Sequence, residues 1–429
     1  MRLFKERRYI SMISSERDGE EVTLMGWISS IRDHGNIMFV MLVDRDDEIQ
    51  ITVKRDNPLF TRFKELKEHS SIGVKGIVKS SKNAPRGIEI IPTLLEVFSI
   101  SKMIPPFSIY SKSIPNMDLR LDIRAIDLRR NTLRSIFKIR YGILKAIREF
   151  LDKNNFIEVN TPKMISSATE GGAALFPIFY FNREAFLAQS PQLYKEQLTM
   201  AFDSVFEIAP IFRAEPSRTN RHLAEAISVD VEKAFIDYTD AMELLEDLII
   251  YSIEYIKKYN IKELEILNIK FDVTKPFPRY TYTELIDRLK EYGAKIEWGE
   301  DFSTENLKLL GEMMNGYYFI TDWPTKIKPF YAKPKSDAKI SETFDLMHNE
   351  LEISSGSSRI NVKEEIIERM KSQGLNPNSF DYHLRVFDYG MPPHAGFGLG
   401  LERFLMTICK LDNIRDATFY PRDIERLTP

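Results

Sequence analysis

Two stretches decide the fold: IFRAEPSRTNRHLAEA at residues 211–226 and GFGLGLERF at residues 396–404. Both set charged side chains inside runs that otherwise read as strands, and an unpaired charge buried there is costly. The first gathers Arg213, Glu215, Arg218, Arg221 and His222 around a Pro-Ser-Arg-Thr-Asn loop, and the second places Gly396, Gly398 and Gly400 ahead of Glu402 and Arg403. Guanidinium groups grip phosphate oxygens as a fork, and glycine lets a backbone or nucleotide approach closely. Together they suggest an ATP or polyphosphate site. Taken singly, the first also reads as a surface hairpin with salt bridges and the second as a helix with a glycine-rich N-terminus. The chain has no GxxxxGK[ST] loop and no strand-GxGxxG-helix unit, so neither a P-loop nor a dinucleotide fold accounts for phosphate binding.

Around these stretches FIEVNTP (156–162), VFEIAPIFRAE (205–215), AISVDVEKAF (226–235), YFITDWP (318–324) and DLMHNELEISSG (345–356) read as strands. DAMELLEDLIIYSIEYIKKY (240–259) reads as an amphipathic helix. The order is not a regular βαβ alternation, so it predicts an α+β fold with a mixed, mostly antiparallel sheet flanked by helices. Upstream, Ile136, Ile139, Ile143, Ile147 and Phe150 fall on one face of a helix running from about residue 132 to Lys153. Pro105, Pro106 and Pro115 break any helix or central strand before it and mark an interdomain linker. Residues 22–99 alternate in short β-branched and aromatic runs, with turn-forming breaks at RDHGN (32–36) and SKNAPRG (81–87). That pattern predicts a five-stranded β-barrel of the OB type, although an SH3-like barrel shares it. The expected organisation is a barrel domain at 1–104, a hinge at 105–131 and a larger domain at 132–429.

At 429 residues the chain holds two or three domains of roughly 100 to 200 residues each. Hydrophobic residues at 43% and charged residues at 29% argue against a disordered or fibrous protein. The single cysteine, Cys409, excludes an internal disulfide framework, and the six histidines show no zinc spacing, so any metal must use oxygen ligands. The net charge of -3 projects no global basic field, yet residues 101–150 carry 11 Lys and Arg against 4 Asp and Glu. That basic joint is either a solvated helix face or a nucleic-acid contact. No apolar run approaches a membrane span of ~18 residues, and MRLFKERRYI lacks the apolar core of a secretory signal. The expectation is a cytoplasmic protein with no membrane partner.

FRAE followed by RHL, the downstream GLGLER and the upstream EVNTP resemble, in order, motifs 2, 3 and 1 of class II aminoacyl-tRNA synthetases. ATEGGAALF (168–176), QSPQLYKE (189–196), FDLMHNELEISSGSSR (344–359) and YPRDIERLTP (420–429) resemble the archaeal-type aspartyl-tRNA synthetases. The resemblance covers essentially the whole chain. It implies an OB-fold anticodon-binding domain, a short hinge and a class II catalytic domain. It also implies a homodimer formed through the Pro162 segment and the helix before it.

The implied chemistry has two steps. The α-carboxylate of L-aspartate attacks the α-phosphorus of ATP, and a terminal ribose hydroxyl of the tRNA then attacks the mixed anhydride. By the motif match, the catalytic Arg213 bridges the aspartate and the α-phosphate, and loss of one such contact costs ~3 to 4 kcal/mol of barrier. The match also implies that Arg221, His222 and Arg403 hold the distal phosphates and that Glu215 lies near the adenine. Ala214, Leu223, Gly400, Leu401 and Glu402 complete the implied ATP site. Glu352 and Ser355 correspond to the family's Mg2+ ligands, with Glu352 also facing ATP and Ser355 the aspartate. Lys195 and Arg359 match the cations that grip the side-chain carboxylate, and related asparaginyl enzymes lack the lysine. Glu170, Ser190, Gln192 and Asp230 are implied to hold the ammonium group and shut the pocket. An asparaginyl enzyme and a non-catalytic RNA-binding paralogue are the rival readings.

Relatives confined to tRNA-Asp resemble GWxW at the first anticodon contact and carry a lysine in the second loop. This chain has GWIS with Ser29 and NAPRG with Pro85. Proline offers no side-chain donor to a base and stiffens the loop. The expectation is therefore a non-discriminating enzyme that aspartylates tRNA-Asp and tRNA-Asn, with an amidotransferase converting the second product; a discriminating enzyme is the alternative. Trp27, His34, Phe39 and Gln50 are the expected anticodon contacts, with Trp27 alternatively a core residue.

Overall fold

The computed structural model describes residues 5–110, 113–167, 175–216, 218–271 and 273–429. Its contacts divide the chain into two compact units, Met1–Arg130 and Asn131–Pro429.

In the first unit, β1 (Glu21–Asp33), β2 (Ile37–Val43), β3 (Glu48–Lys54), β4 (Ser71–Ser80) and β5 (Ile88–Ser99) close into a barrel in the order β1-β2-β3-β5-β4. A short α1 (Phe60–Lys64) joins β3 to β4. The two-residue period of the strands sends Met38, Val40, Leu42, Ile49, Ile51 and Val53 into the barrel and leaves Phe39, Met41 and Gln50 half-buried on its outside. The β1–β2 register skips between Ile28 and Ser30, so Ser29 stands as a bulge in the barrel wall. Two short helices, α2 (Met117–Asp122) and α3 (Arg124–Asp127), end the unit. There Arg120, Arg124 and Arg130 converge on the buried Asp127 at 3.0, 2.9 and 3.0 Å.

The second unit opens with α4 (Asn131–Lys153) and continues through β6 (Ile157–Glu158), β7 (Met164–Ile165), β8 (Pro177–Tyr180), β9 (Arg183–Leu187), α5 (Gln192–Phe202), β10 (Ser204–Phe212) and β11 (Glu225–Ala234). Then come α6 (Tyr238–Tyr259), α7 (Ile261–Leu267), β12 (Arg279–Thr281), α8 (Tyr282–Glu291), α9 (Thr304–Met313), β13 (Tyr317–Thr321), β14 (Thr343–His348) and β15 (Leu351–Ser358). It ends with α10 (Lys363–Ser372), α11 (Asp381–Leu384), β16 (His394–Gly400) and α12 (Leu401–Cys409). Among the described residues one sheet of eight strands runs β12-β13-β14-β15-β16-β11-β10-β6. It is antiparallel except at its two outer pairs, as the irregular strand order predicts. None of the described helices is long and apolar enough to cross a membrane.

The apolar stripe of α4 is buried at all five expected positions, and each such side chain contributes roughly 1.5 to 3 kcal/mol. A left-handed Asn155 (φ 63°) stops the helix: the Phe156 N–H bonds back to the Leu151 carbonyl at 3.0 Å, and the Asn155 N–H to Asp152 at 3.0 Å. With α6 and α12, α4 covers one face of the sheet, where Val229 and Val231 of β11, Phe397 and Leu399 of β16 and Phe344 and Leu346 of β14 form the core. Alternation sends Ser228, Asp230 and Glu232, Gly396, Gly398 and Gly400, and Ser355 and Ser357 to the opposite face. A second bulge matters here. The β14–β15 register pairs Leu346 with Ser354 but Met347 with Glu352, which leaves Ile353 unpaired. Residues three apart on a regular strand face opposite ways, whereas the bulge brings Glu352 and Ser355 to one side.

A Cβ at Gly356 would lie 2.3 Å from Phe344 Cζ and 2.6 Å from the Gly396 carbonyl oxygen. The ring is locked in the core and the carbonyl belongs to the central strand. Gly356→Ala should lower stability by about 1 to 3 kcal/mol, read as an earlier urea-unfolding midpoint at unchanged slope.

Candidate active site

The polar face of the large sheet floors a cavity of about 210 Å³. Its width comes from missing side chains on the central strand, β16. A Cβ at Gly396 would lie 2.1 Å from the Val231 carbonyl oxygen and 2.3 Å from Glu232 Oε2, so no side chain fits there. β11 and β15 flank this groove and project their polar residues over it.

At one end, α5 and β11 build an ion cluster. Lys195 Nζ is buried 3.0 Å from Asp230 Oδ1 and 3.3 Å from Glu232 Oε2, and also donates to the Phe397 carbonyl at 3.2 Å. Arg359 follows β15 and holds the same Glu232 from the other side, Nε to Oε1 at 2.9 Å and Nη2 to Oε2 at 3.1 Å. Its Nη1 donates to Ser357 Oγ at 2.6 Å. Burial disfavours the Arg359 charge, but Glu232 more than offsets this and pushes the guanidinium pKa up. The two expected cations thus lie together, on a shared carboxylate that sequence reasoning did not assign. Its signal was present: in AISVDVEKAF, Asp230 and Glu232 sit two apart on one face of a strand. Arg359, Asp230, Ser190, Gln192 and Arg213 line the cavity, whereas Lys195 stands behind the wall.

At the other end lies a concentration of positive charge. The loop between β10 and β11 supplies Arg213, Arg221 and His222, and α12 supplies Arg403. Arg403 Nη1 donates to the Glu352 carbonyl at 2.9 Å, and Arg221 Nη2 to Glu350 Oε1 at 2.8 Å. Burial, opposed by Glu352 and reinforced by Arg213 and Arg221, lowers the Arg403 pKa. His222 is lowered by burial first, then by Arg403, Arg213 and Arg221, with Glu215 opposing. Its ring lies 2.7 Å from Thr219 Oγ1. Four basic groups gathered at one end of the cavity, with the charged forms of Arg403 and His222 disfavoured, suit a polyanion.

Between the two ends Glu352 and Ser355 face the cavity. Opposite Ser355 in register is Asp345, buried and salt-bridged to Lys328 at 2.7 Å. Its pKa is raised by burial, and Glu352 adds to the rise while Lys328 opposes it. Its Oδ1 has no hydrogen-bond partner among the described residues. Sequence reasoning missed Asp345 and Lys328.

Glu215, Leu223, Gly400 and Glu402 also line the cavity; Ala214 and Leu401 do not. The Glu402 carboxylate is directed away from solvent, accepting from Arg140 at 2.9 Å and from the Ile227 N–H at 2.9 Å. Glu170 lies outside the described residues. In the barrel unit, Ser29, Phe39, Gln50 and Pro85 gather in one recess of about 320 Å³ with Arg32, Met41 and Tyr110. Ser29 is nevertheless buried, its hydroxyl 3.4 Å from the Met41 carbonyl. The His34 ring meets the edge of Phe39 at 5.8 Å. Trp27 is 36% exposed and so not core; Arg129 covers its ring at 4.4 Å.

The family described as tRNA synthetases class II (D, K and N) matches residues 116–424, and the OB-fold nucleic acid binding domain matches residues 22–98. The "Aspartate--tRNA(Asp/Asn) ligase" of Methanothermobacter thermautotrophicus is 48% identical over 99% of both chains. The ligase of the same name from Archaeoglobus fulgidus is 47% identical over 99% of this chain and 100% of its own. Among solved structures, asparaginyl-tRNA synthetase from Pyrococcus horikoshii complexed with asparaginyl-adenylate superposes with a TM-score of 0.94 at 34% identity, over 99% of this chain and 100% of that one. Aspartyl tRNA synthetase from Entamoeba histolytica gives 0.88 at 30% identity, covering 99% and 92%.

Replacing Glu232 with Gln leaves two buried cations short of a carboxylate. The variant should lose about 3 to 5 kcal/mol of stability in chemical denaturation, the range for breaking a buried ion pair on one side. A loss below about 1 kcal/mol, typical of a surface pair, would remove Glu232 from the centre of the cluster.

Proposed function

Because the chain belongs to the class II tRNA synthetases, we propose that it activates L-aspartate with ATP and transfers it to both tRNA-Asp and tRNA-Asn. One observation carries this: the polyanion end and the carboxylate end open into a single cavity. An amino acid and the α-phosphate of a nucleotide can therefore meet within it. No protein nucleophile is needed, so rate enhancement rests on positioning and on charge stabilisation of the phosphorus centre.

In this reading Arg213 lies between the substrate α-carboxylate and the α-phosphate, and Arg221, His222 and Arg403 take the distal phosphates. Glu215 faces the adenine, and Ser190, Gln192 and Asp230 receive the ammonium group. Arg359 has five N–H groups, of which three meet Glu232 and Ser357; the other two suit the substrate's side-chain carboxylate. Charge then favours aspartate over asparagine. Lys195 and Arg359 balance Asp230 and Glu232, and Arg213, placed between the two ends in this reading, adds one positive charge that the net negative charge of aspartate cancels. Leaving such a charge unmatched costs ~2 to 5 kcal/mol. The structural likeness to an asparaginyl enzyme is the observation favouring the second reading, and Lys195 argues against it.

Glu352 and Ser355, both oxygen donors turned to one side by the bulge, fit a hard divalent cation, as does the buried Oδ1 of Asp345, which has no hydrogen-bond partner among the described residues. We assign magnesium to Glu352 and Ser355; when bound it neutralises charge on phosphate oxygens. A homodimer is supported by Tyr141 on α4 and Ile157 on β6, exposed at 64% and 45% on the segment that resembles the dimer-forming motif. The recess holding Ser29, Phe39, Gln50 and Pro85 is the proposed anticodon contact, with His34 beside Phe39. Trp27 under Arg129 offers a stacking platform next to it in sequence.

Purified enzyme should acylate tRNA-Asp and tRNA-Asn transcripts with labelled aspartate at kcat/KM values within about tenfold of each other, and should not charge asparagine. Pro85→Lys should restrict it toward tRNA-Asp. A wild-type preference for tRNA-Asp of about a hundredfold would defeat the dual specificity.

The His222 pKa is depressed in the free protein, and a bound polyphosphate must raise it. Binding therefore takes up protons, and affinity for ATP should strengthen as pH falls from about 8 to about 6. Calorimetry in buffers of different ionisation enthalpy should detect this uptake, and His222→Asn should lose it. Equal uptake by both proteins would place His222 away from the phosphates.

A further inference from the structure

Behind the carboxylate end lies a buried cluster that the mechanism above does not use. Glu196, on α5, is fully buried; its Oε1 accepts from Gln192 Nε2 at 2.6 Å. Its Oε2 faces His383 Nε2 of α11 at 3.3 Å and His394 Nε2 of β16 at 3.8 Å. The other nitrogens of these rings settle their protons. His394 Nδ1 lies 2.7 Å from the Pro392 carbonyl, so Nδ1 donates there, and a neutral ring would aim the bare lone pair of Nε2 at the carboxylate. His394 is therefore the cation of the cluster. His383 Nδ1 accepts from Gln197 Nε2 at 3.2 Å, which leaves its proton on Nε2, toward Glu196. Beyond these, Arg359 and Tyr382 are the charged and titratable groups that act on Glu196. Burial opposes ionisation of Glu196, but the two histidines reverse it and hold the carboxyl below its usual range.

An ionised carboxylate only accepts hydrogen bonds. It therefore admits the nitrogen end of the Gln192 amide and rejects the oxygen end, whereas a neutral partner would tolerate either. Gln192 sits one turn earlier on the helix and lines the cavity; Glu196 does not. We propose that Glu196 is a positioning residue that fixes the Gln192 amide with its oxygen toward the cavity, as an acceptor for the ammonium group of the amino-acid substrate. This rests on the aspartate-activating reading above. His394 is joined to the same end of the site, since its backbone carbonyl accepts from the backbone N–H of Arg359 at 2.9 Å. The cluster thus ties the acceptor for the ammonium group to the cation for the side-chain carboxylate.

Aspartate-dependent pyrophosphate exchange tests this. Glu196→Gln should raise the KM for aspartate about tenfold, the size of one charge-assisted hydrogen bond, and leave the KM for ATP within about twofold. Competitive inhibition by succinate, which lacks the ammonium group, should be unchanged. In a Gln192→Ala background the same substitution should have no further effect on the aspartate KM. Additive effects in that background, or equal weakening of succinate and aspartate, would overturn the proposal and reduce Glu196 to a packing role. Should Glu196→Gln not fold, Glu196→Asp keeps the charge near His394 but withdraws the oxygen from Gln192, and is read the same way. Absence of aspartate-dependent exchange in the wild type would instead remove the reading beneath it, which separates the two failures.

Discussion

The second unit depends on a carboxylate held from two sides. Glu232 is fully buried on β11, gripped by Lys195 from α5 and by Arg359 from the end of β15. Taking these ions out of water is expensive, and their attraction repays the cost only when geometry is good and the remaining donors are satisfied. The geometry is good, and Ser357, Asp230 and the Phe397 carbonyl take further N–H groups, leaving two on Arg359 beside the cavity. A helix and the two strands that flank β16 are thereby fixed to one another at the carboxylate end of the cavity. Hydrophobic burial on the far face gives the sheet its stability, while this knot gives the near face its shape.

The opposite end works by excess of charge. Burial, reinforced by Arg213 and Arg221, disfavours the protonated forms of Arg403 and His222. In the proposed reading a polyphosphate would relieve that penalty and gain affinity from it. The bulge at Ile353 sits between the two regimes and turns Glu352 and Ser355 toward the same volume.

Much of this was legible in the chain. The period of α4, the alternating barrel strands and the charged residues inside FRAE and GLGLER each follow from spacing, because burial makes an amphipathic pattern conspicuous. What spacing could not show was pairing. Glu232 was visible as an acid in a strand, but its partners come from residues 37 positions earlier and 127 later, a distance local pattern does not cross. Asp345 was hidden for the same reason, since only the register of β14 against β15 sets it opposite Ser355. The bulge at Ser29 likewise depends on β1 meeting β2 one residue out of step, which turns a residue expected at the surface into the barrel wall.

The glycine row of β16 bears on how this cavity can change over evolutionary time. Gly396 has backbone and carboxylate atoms where a methyl group would go, so the middle strand has no room to diversify there. Gly398 and Gly400 have room for a methyl group, so the floor can be raised only there and only by small residues. Larger changes in a descendant of such a scaffold would fall on the two neighbouring strands, with Gly396 kept bare.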